Sequence, residues 1–262
     1  MKIVFGINTY KDSSDLNTRQ KLCIKSLKKI SSENNHIVNL QFNDDYFEYK
    51  DFNKTLKLYQ SSQYYISHSS YKFPIVSEIF DVLSNEDCDY FVFLNDDIII
   101  QKNFLNEIED FDYDCYIASR VDINLHENGE CYTPVNYNIH GFDLFCIKKE
   151  WWLKNRDKFP PLILGKYFWD TAYYVLCKKY GKTKTLNELP YSILHPIHNG
   201  DSNHQTKEHF YNQSTVDLKI IQSWFYVANN ILTNRLDDKG IKNSLPTLNE
   251  EINSDLYLKE NL

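Results

Sequence analysis

The sequence predicts an α/β fold, a layered α/β/α arrangement around a mostly parallel central sheet. Strand-like and helix-like patterns alternate through the first half of the chain. The run Tyr90-Phe91-Val92-Phe93-Leu94 is apolar throughout, as a strand covered on both faces requires. Polar turns close three of the strand-like runs, at Asn8-Thr9, Asn43-Asp44-Asp45 and Asn95-Asp96-Asp97. Sheets of this type bind ligands beyond the carboxyl ends of their strands, so the three turns mark one edge as the candidate site.

Taken in order, residues 2–8 read as a first strand, and Asn17 or Thr18 opens a Lys-rich helix with Cys23, Leu27 and Ile30 on one face. Residues 36–42 alternate apolar and polar side chains and read as a second strand. Residues 52–58 read as a short helix. Pro74 stands where a first helical turn tolerates proline, and Ile75, Ile79, Val82 and Leu83 then share a face. After the apolar run at 90–94 come a short helix at 104–108, strands at 115–119 and 142–147, and a helix begun by Trp151-Trp152. Residues 171–180 read as a helix closed by Gly181, and 214–236 as a long amphipathic helix. The organisation expected is one catalytic-type domain over 1–236, its nucleotide-binding half at about 1–100 and its acceptor half at about 101–213. Residues 237–262 form a polar tail.

Composition excludes several classes. With 29 basic and 36 acidic residues the net charge is −7, so no broad positive field draws nucleic acid or an anionic membrane. A phosphate group must be met locally or through a cation. The apolar start is too short for a signal segment and no later stretch is long enough to span a membrane, which leads us to expect a cytoplasmic protein. Six cysteines lack CxxC spacing and read as free, mostly buried thiols. The chain has no P-loop, GxGxxG, GxSxG or HExxH pattern and only 7 glycines, which disfavours nucleotide kinases and dinucleotide-dependent dehydrogenases.

Carboxylates at a strand end can hold a divalent ion, and such an ion stabilises a departing nucleoside diphosphate without a basic patch. Adjacent side chains in the Asn95-Asp96-Asp97 turn point in different directions, so one ion is met asymmetrically. We expect Asp97 on the metal and Asp96 on the ribose or on a metal-bound water. The same residues also favour turns for their own backbone hydrogen bonds.

The segment Phe91-Val92-Phe93-Leu94-Asn95-Asp96-Asp97-Ile98 resembles the strand and DxD-type motif of GT-A glycosyltransferases, and the order of elements resembles that family over residues 2–200. The resemblance implies transfer of a sugar from a nucleotide-diphosphate-sugar donor to a hydroxyl of a glycan or other acceptor, with Mn2+ or Mg2+ bound by Asp97. Asn95 stands where many members have Asp. By position, the loop holding Asn8, Thr9 and Tyr10 would meet the nucleotide, Arg19 the diphosphate and Asp44 the base, with Asn95 as a further ribose contact.

Three further segments carry candidate residues. His140-Gly141-Phe142-Asp143 resembles the family's acceptor-side segment before a strand, with His140 and Asp143 facing hydroxyls; a turn with a capping Asp fits the same residues. Asp170, preceded by Trp169 as an aromatic wall for the acceptor sugar, matches the family's general base at the start of a helix, and also reads as an ordinary N-cap. In His195-Pro196-Ile197-His198, Pro196 makes an extended segment the better reading, so one His and not both is expected on the ion. His198, followed by Asn199-Gly200, is taken for that role. A sugar-1-phosphate nucleotidyltransferase needs a glycine-rich basic loop after the first strand, and residues 8–16 contain no glycine. A non-catalytic carbohydrate- or nucleotide-binding protein of the same fold is the alternative from another class.

Overall fold

A computed structural model describes residues 1–9, 16–43, 48–60, 72–102, 104–108, 112–125, 132–166, 169–186, 193–197 and 212; for residues 107 and 132–141 it describes the backbone alone. Tyr10, Asp44 and His198 lie outside the described residues, as do the expected helix at 214–236 and the tail.

The strands are β1 (Ile3–Ile7), β2 (Asn35–Phe42), β3 (Lys54–Leu58), β4 (Tyr90–Leu94), β5 (Ile99–Ile100), β6 (Cys115–Leu125), β7 (Tyr132–Lys148), β8 (Thr183–Leu186) and β9 (Ile193–Pro196). The helices are α1 (Thr18–Ile30), α2 (Val76–Ser84), α3 (Phe104–Glu107), α4 (Lys149–Asn155) and α5 (Trp169–Tyr180). One sheet takes the order β3-β2-β1-β4-β7-β6-β9-β5, with β8 also paired to β6. β1, β2, β3 and β4 run parallel to one another, so their carboxyl ends share an edge. β7 inserts antiparallel between β4 and β6, and β6 therefore runs toward that same edge and continues past it.

The apolar residues sort to the two faces by the two-residue period of a strand. Ile3, Phe5 and Ile7 of β1 join Tyr90, Val92 and Leu94 of β4 beneath Cys23, Ile24 and Leu27 of α1. Val4, Phe91 and Phe93 turn the other way, onto Val76, Ile79, Phe80 and Leu83 of α2, the two tryptophans of α4 and the inner side of α5. With both faces covered, every residue of β1 and β4 is buried. Phe80 is the hub of the second layer, its ring within 6.1 Å of Phe91, Phe93, Phe145, Trp152 and Tyr173. At Gly6 a Cβ would stand 2.5 Å from Leu83 Cδ2, so the missing side chain lets α2 close onto β1.

The structure corrects three expectations. Residues 52–58 are not helical: in β3 the exposed Lys57 lies between Leu56 and Leu58, which join the α2 layer, and Asn53 is already tied to Ile37 of β2 by two hydrogen bonds. The capping turn offered for Asp143 is not formed, and Asp143 stands inside the strand expected at 142–147. It lies within β7, where Ser119 pairs with Phe142 and Arg120 with Asn138, leaving residues 139–141 between the paired positions. Asp170 is not a cap outside its helix, because α5 already begins at Trp169.

Cys23, Cys88, Cys115, Cys146 and Cys177 are free and buried. Asn212 is fully buried, its side chain bonded both ways to the Ile163 backbone at 2.7 and 3.0 Å. Among the described residues no helix is long and apolar enough to cross a membrane.

Candidate active site

β4 ends in the turn Asn95-Asp96-Asp97, closed by the Ile98 N–H on the Asn95 carbonyl at 3.2 Å. The three side chains take separate directions, and each meets a different element.

Asn95 turns toward β7. Its Nδ2 donates to Asp143 Oδ1 at 2.6 Å, while its N–H bonds to the Asp143 carbonyl at 3.3 Å. The other Asp143 oxygen accepts from Arg120 Nη1 at 3.0 Å, and Arg120 Nε donates to Asp122 Oδ1 at 3.0 Å. That Asp122 oxygen also lies 2.8 Å from His195 Nδ1, and His195 Nε2 lies 3.3 Å from Asp97 Oδ2. Six side chains from β4's turn, β7, β6 and β9 thus form a ring that starts and ends in one acidic turn. Asp143 is 6% exposed; burial pushes its pKa up, Arg120 opposes this and Asp97 adds to it. Burial disfavours a charge on His195, yet the contacts with Asp97 and Asp122 outweigh it and leave its pKa raised.

Asp96 turns toward α1. Its Oδ2 accepts from Gln20 Nε2 at 2.5 Å. Gln20 is also half of the α1 capping box: its Oε1 accepts from the Asn17 N–H, and Asn17 Oδ1 accepts from the Gln20 N–H. One glutamine therefore fixes the helix start and the acidic turn together. Burial lifts the Asp96 carboxyl to a pKa of about 6, against the Gln20 bond and the nearby Arg19 charge. Arg19 Nη1 is buried with no hydrogen-bond partner.

At the neighbouring strand ends, Asn8 Nδ2 donates to the Leu40 carbonyl at 2.7 Å. Thr9 is buried, its hydroxyl donating to Asn39 Oδ1 at 2.7 Å and accepting from Gln41 Nε2 at 3.2 Å. Both therefore join β1 to β2 in this structure, and Asn39 Nδ2 is a second buried donor without a partner.

Asp170 stands in the first turn of α5, where Oδ2 accepts from the Phe142 N–H at 3.1 Å. Burial raises its pKa to about 6, the Phe142 bond opposing and Asp143 adding. Trp169, expected as an aromatic wall beside it, instead packs into the core at 5% exposure, 5.4 Å from the Phe145 ring and 6.2 Å from Phe93. It sits on the apolar side of α5, where the sheet gives its ring more contact than the edge does. His140 lies in the stretch of β7 between paired positions, backbone only.

Asn95, Asp97 and Asp143 are thus brought together, and Asp170 joins them through the residue before Asp143. The sequence reading named none of Arg120, Asp122 and Gln20, and offered His195 only as the alternative to His198. For β6 a signal existed: Val121-Asp122-Ile123-Asn124-Leu125 alternates, which extends the strand and places Arg120 and Asp122 on one face.

Among the described residues no group of three or more His, Cys, Asp or Glu side chains is arranged to enclose a metal. Asp97 and His195 nonetheless fit one. Bonds of about 2.1 Å at right angles separate two ligands by about 3 Å, close to the Oδ2–Nε2 spacing, and Mg2+-type sites commonly use one or two carboxylates completed by substrate phosphates, the part Asp97 would take here. The other ring nitrogen faces a carboxylate, as in metal-bound histidines generally.

No protein-family profile matches the chain, and no curated protein does. Solved structures do. S. aureus TarS 1–349 in complex with UDP-GlcNAc aligns with a TM-score of 0.53 at 13% identity, covering 94% of this chain and 70% of that one. The same protein in complex with UDP gives 0.50 at 15% over the same shares. A structure titled simply S. aureus TarS gives 0.52 at 13%, covering 90% of this chain and 43% of that chain. At such identities the likeness is one of fold, and the chain has the GT-A-type glycosyltransferase fold.

Proposed function

We propose that the chain transfers a sugar from a nucleotide-diphosphate-sugar donor to a hydroxyl-bearing acceptor, with Mn2+ or Mg2+ held by Asp97 and His195. The observation that carries this reading is the Asp97–His195 pair, set at the carboxyl edge of the sheet at the spacing of two metal ligands. A divalent ion there supplies positive charge against the departing diphosphate. Arg19 supports the same reading. Its buried Nη1 has no partner, and a phosphate oxygen is the group that satisfies a guanidinium donor best.

The residues divide the work. Gln20 and Asn95 hold the acidic turn from opposite sides, which fixes where Asp97 points. Asp170 is the general base: the Phe142 N–H holds one of its oxygens, and a pKa of about 6 leaves it ionised at neutral pH yet more basic than an ordinary carboxylate. It takes the proton of the acceptor hydroxyl as that oxygen bonds to the anomeric carbon and the bond to the diphosphate breaks. TarS is seen with UDP and UDP-GlcNAc, which makes uridine donors the first to try.

The test is a screen of nucleotide sugars for hydrolysis and transfer, paired with calorimetric titration of UDP with and without Mn2+. Asp97→Ala and His195→Ala are expected to keep the fold and lose metal-dependent binding and turnover. Full turnover of every donor by Asp97→Ala removes the central claim.

A further inference from the structure

His195 can present Nε2 to Asp97 in a defined way only if something fixes the ring, since an imidazole on a strand is free to rotate about two bonds and to exchange tautomers. β6 supplies the fixture. Asp122 and His195 are direct partners in the parallel β6–β9 pairing, so their side chains leave the sheet together. The side chains are 15% and 10% exposed, and the Oδ1–Nδ1 distance is 2.8 Å. Both ring nitrogens face carboxylates, which only accept, but the Nδ1–Asp122 contact at 2.8 Å is shorter than the Nε2–Asp97 contact at 3.3 Å, so a neutral ring keeps its hydrogen on Nδ1 and leaves Nε2 for the ion. Arg120, two residues back on the same face, donates Nε to the same Asp122 oxygen and Nη1 to Asp143, so the carboxylate cannot swing away without breaking a second charged contact.

We propose that Asp122, braced by Arg120, is the positioning residue for His195: it sets the tautomer and orientation in which Nε2 faces Asp97 and the ion between them. This rests on the metal role proposed above for Asp97 and His195. Asp122 does not touch the ion. It meets the ring nitrogen on the far side, and acts through His195.

Carboxylates in this position behind metal-bound histidines govern metal affinity about 10- to 100-fold. The experiment is Mn2+ titration of the full chain followed by electron paramagnetic resonance, with Mn2+ alone and with Mn2+ plus UDP, on wild type, Asp122→Ala, Asp122→Asn and Asp97→Ala. Asp122→Ala is expected to weaken Mn2+ by about 10- to 100-fold, with Asp122→Asn, whose oxygen can still accept from Nδ1, losing less. Ring-nitrogen NMR of His195 in metal-free protein, at a pH where the ring is neutral, is expected to show hydrogen on Nδ1 in wild type and a mixture in Asp122→Ala.

Unchanged Mn2+ affinity in both Asp122 variants, alongside a loss in Asp97→Ala, overturns the positioning role and leaves the metal reading standing. A wild-type ring carrying its hydrogen on Nε2 overturns it as well. Wild-type protein that binds no Mn2+ with or without UDP overturns both. Should Asp122→Ala fail to fold, the isosteric Asp122→Asn and the wild-type tautomer still decide the matter.

Discussion

Asn95→Asp restores the acidic residue that many GT-A members carry, and here it should be harmful. Asn95 Nδ2 lies 2.6 Å from Asp143 Oδ1, so the substitution sets a carboxylate oxygen against another carboxylate. At that spacing and an effective dielectric constant of about 20, two full charges repel by about 6 kcal/mol. Taking up one proton at neutral pH is cheaper. A carboxyl with an unfolded-state pKa of about 4 is protonated at pH 7 for about 4 kcal/mol, and the shared proton then restores a hydrogen bond. Asp143 is already raised by burial and by Asp97, which favours that outcome.

The expected penalty is therefore about 4 kcal/mol near neutral pH, and its sign follows from the raised folded-state pKa. Below about pH 4 both folded and unfolded chains carry the proton and the penalty vanishes; it grows by about 1.4 kcal/mol per pH unit until the folded pair itself ionises. Urea denaturation at about pH 5 and about pH 7 measures it, with Asn95→Ala as a control. That control leaves one oxygen unsatisfied and loses about 1 to 3 kcal/mol with little pH dependence. An Asn95→Asp protein as stable as wild type at neutral pH would refute the ring geometry. So would a gain in Mn2+ affinity, since Asn95 would then face the ion and not Asp143.

Asp170→Asn should lower the transfer rate by about a hundred- to ten-thousandfold while leaving UDP binding intact. In wild type the base must be unprotonated, so the rate should fall tenfold per pH unit below about 6, and the variant should lack that limb; a pH–rate profile shared by both discards the assignment. Gly6→Ala should destabilise the chain by about 1 to 3 kcal/mol in urea unfolding, because its Cβ meets Leu83 Cδ1 and Cδ2 at 2.8 and 2.5 Å; an unmoved midpoint means that Leu83 rotates aside without loss. Phe80→Ala removes the ring shared by both aromatic helices and the sheet and should lose about 3 to 5 kcal/mol, checked in the same assay; a loss under about 1 kcal/mol would show that the cluster collapses around the gap.

The elements legible in the sequence were those whose signal is local. The unbroken apolar run of β4 requires cover on both faces, and the Cys23, Leu27 and Ile30 spacing needs one apolar helix face; both follow from composition within a few residues. β3 was misread because a five-residue edge strand with two leucines carries too few positions to separate period two from period three and a half. The acidic turn was visible, but not what its members face. Asp122 and His195 are 73 positions apart in the chain and meet only because β6 runs on past the end of β4 and β9 pairs with that extension. His198 lies outside the described residues, whereas His195 is placed by β9, a four-residue strand in which it is the one polar side chain. Trp169 was placed beside the acceptor on residue type alone, while its helix face belongs to the core.

β9 has consequences for how such a chain can change in length. It holds His195 opposite Asp122 through three paired positions on β6 and two on β5. Side chains on a strand alternate, so a slip of one residue brings Leu194 or Pro196 opposite Asp122, and neither offers that carboxylate a hydrogen. The same slip drives the imidazole into the space that Leu194 shares with Val121 and Ile123. An inserted or deleted residue ahead of Ile193 is therefore harmless where the connecting segment absorbs it and ruinous where the strand does. Under the metal role proposed for Asp97 and His195, parity along this strand decides the site: a histidine shifted by an odd number of positions would no longer face Asp97 and would not hold the proposed ion.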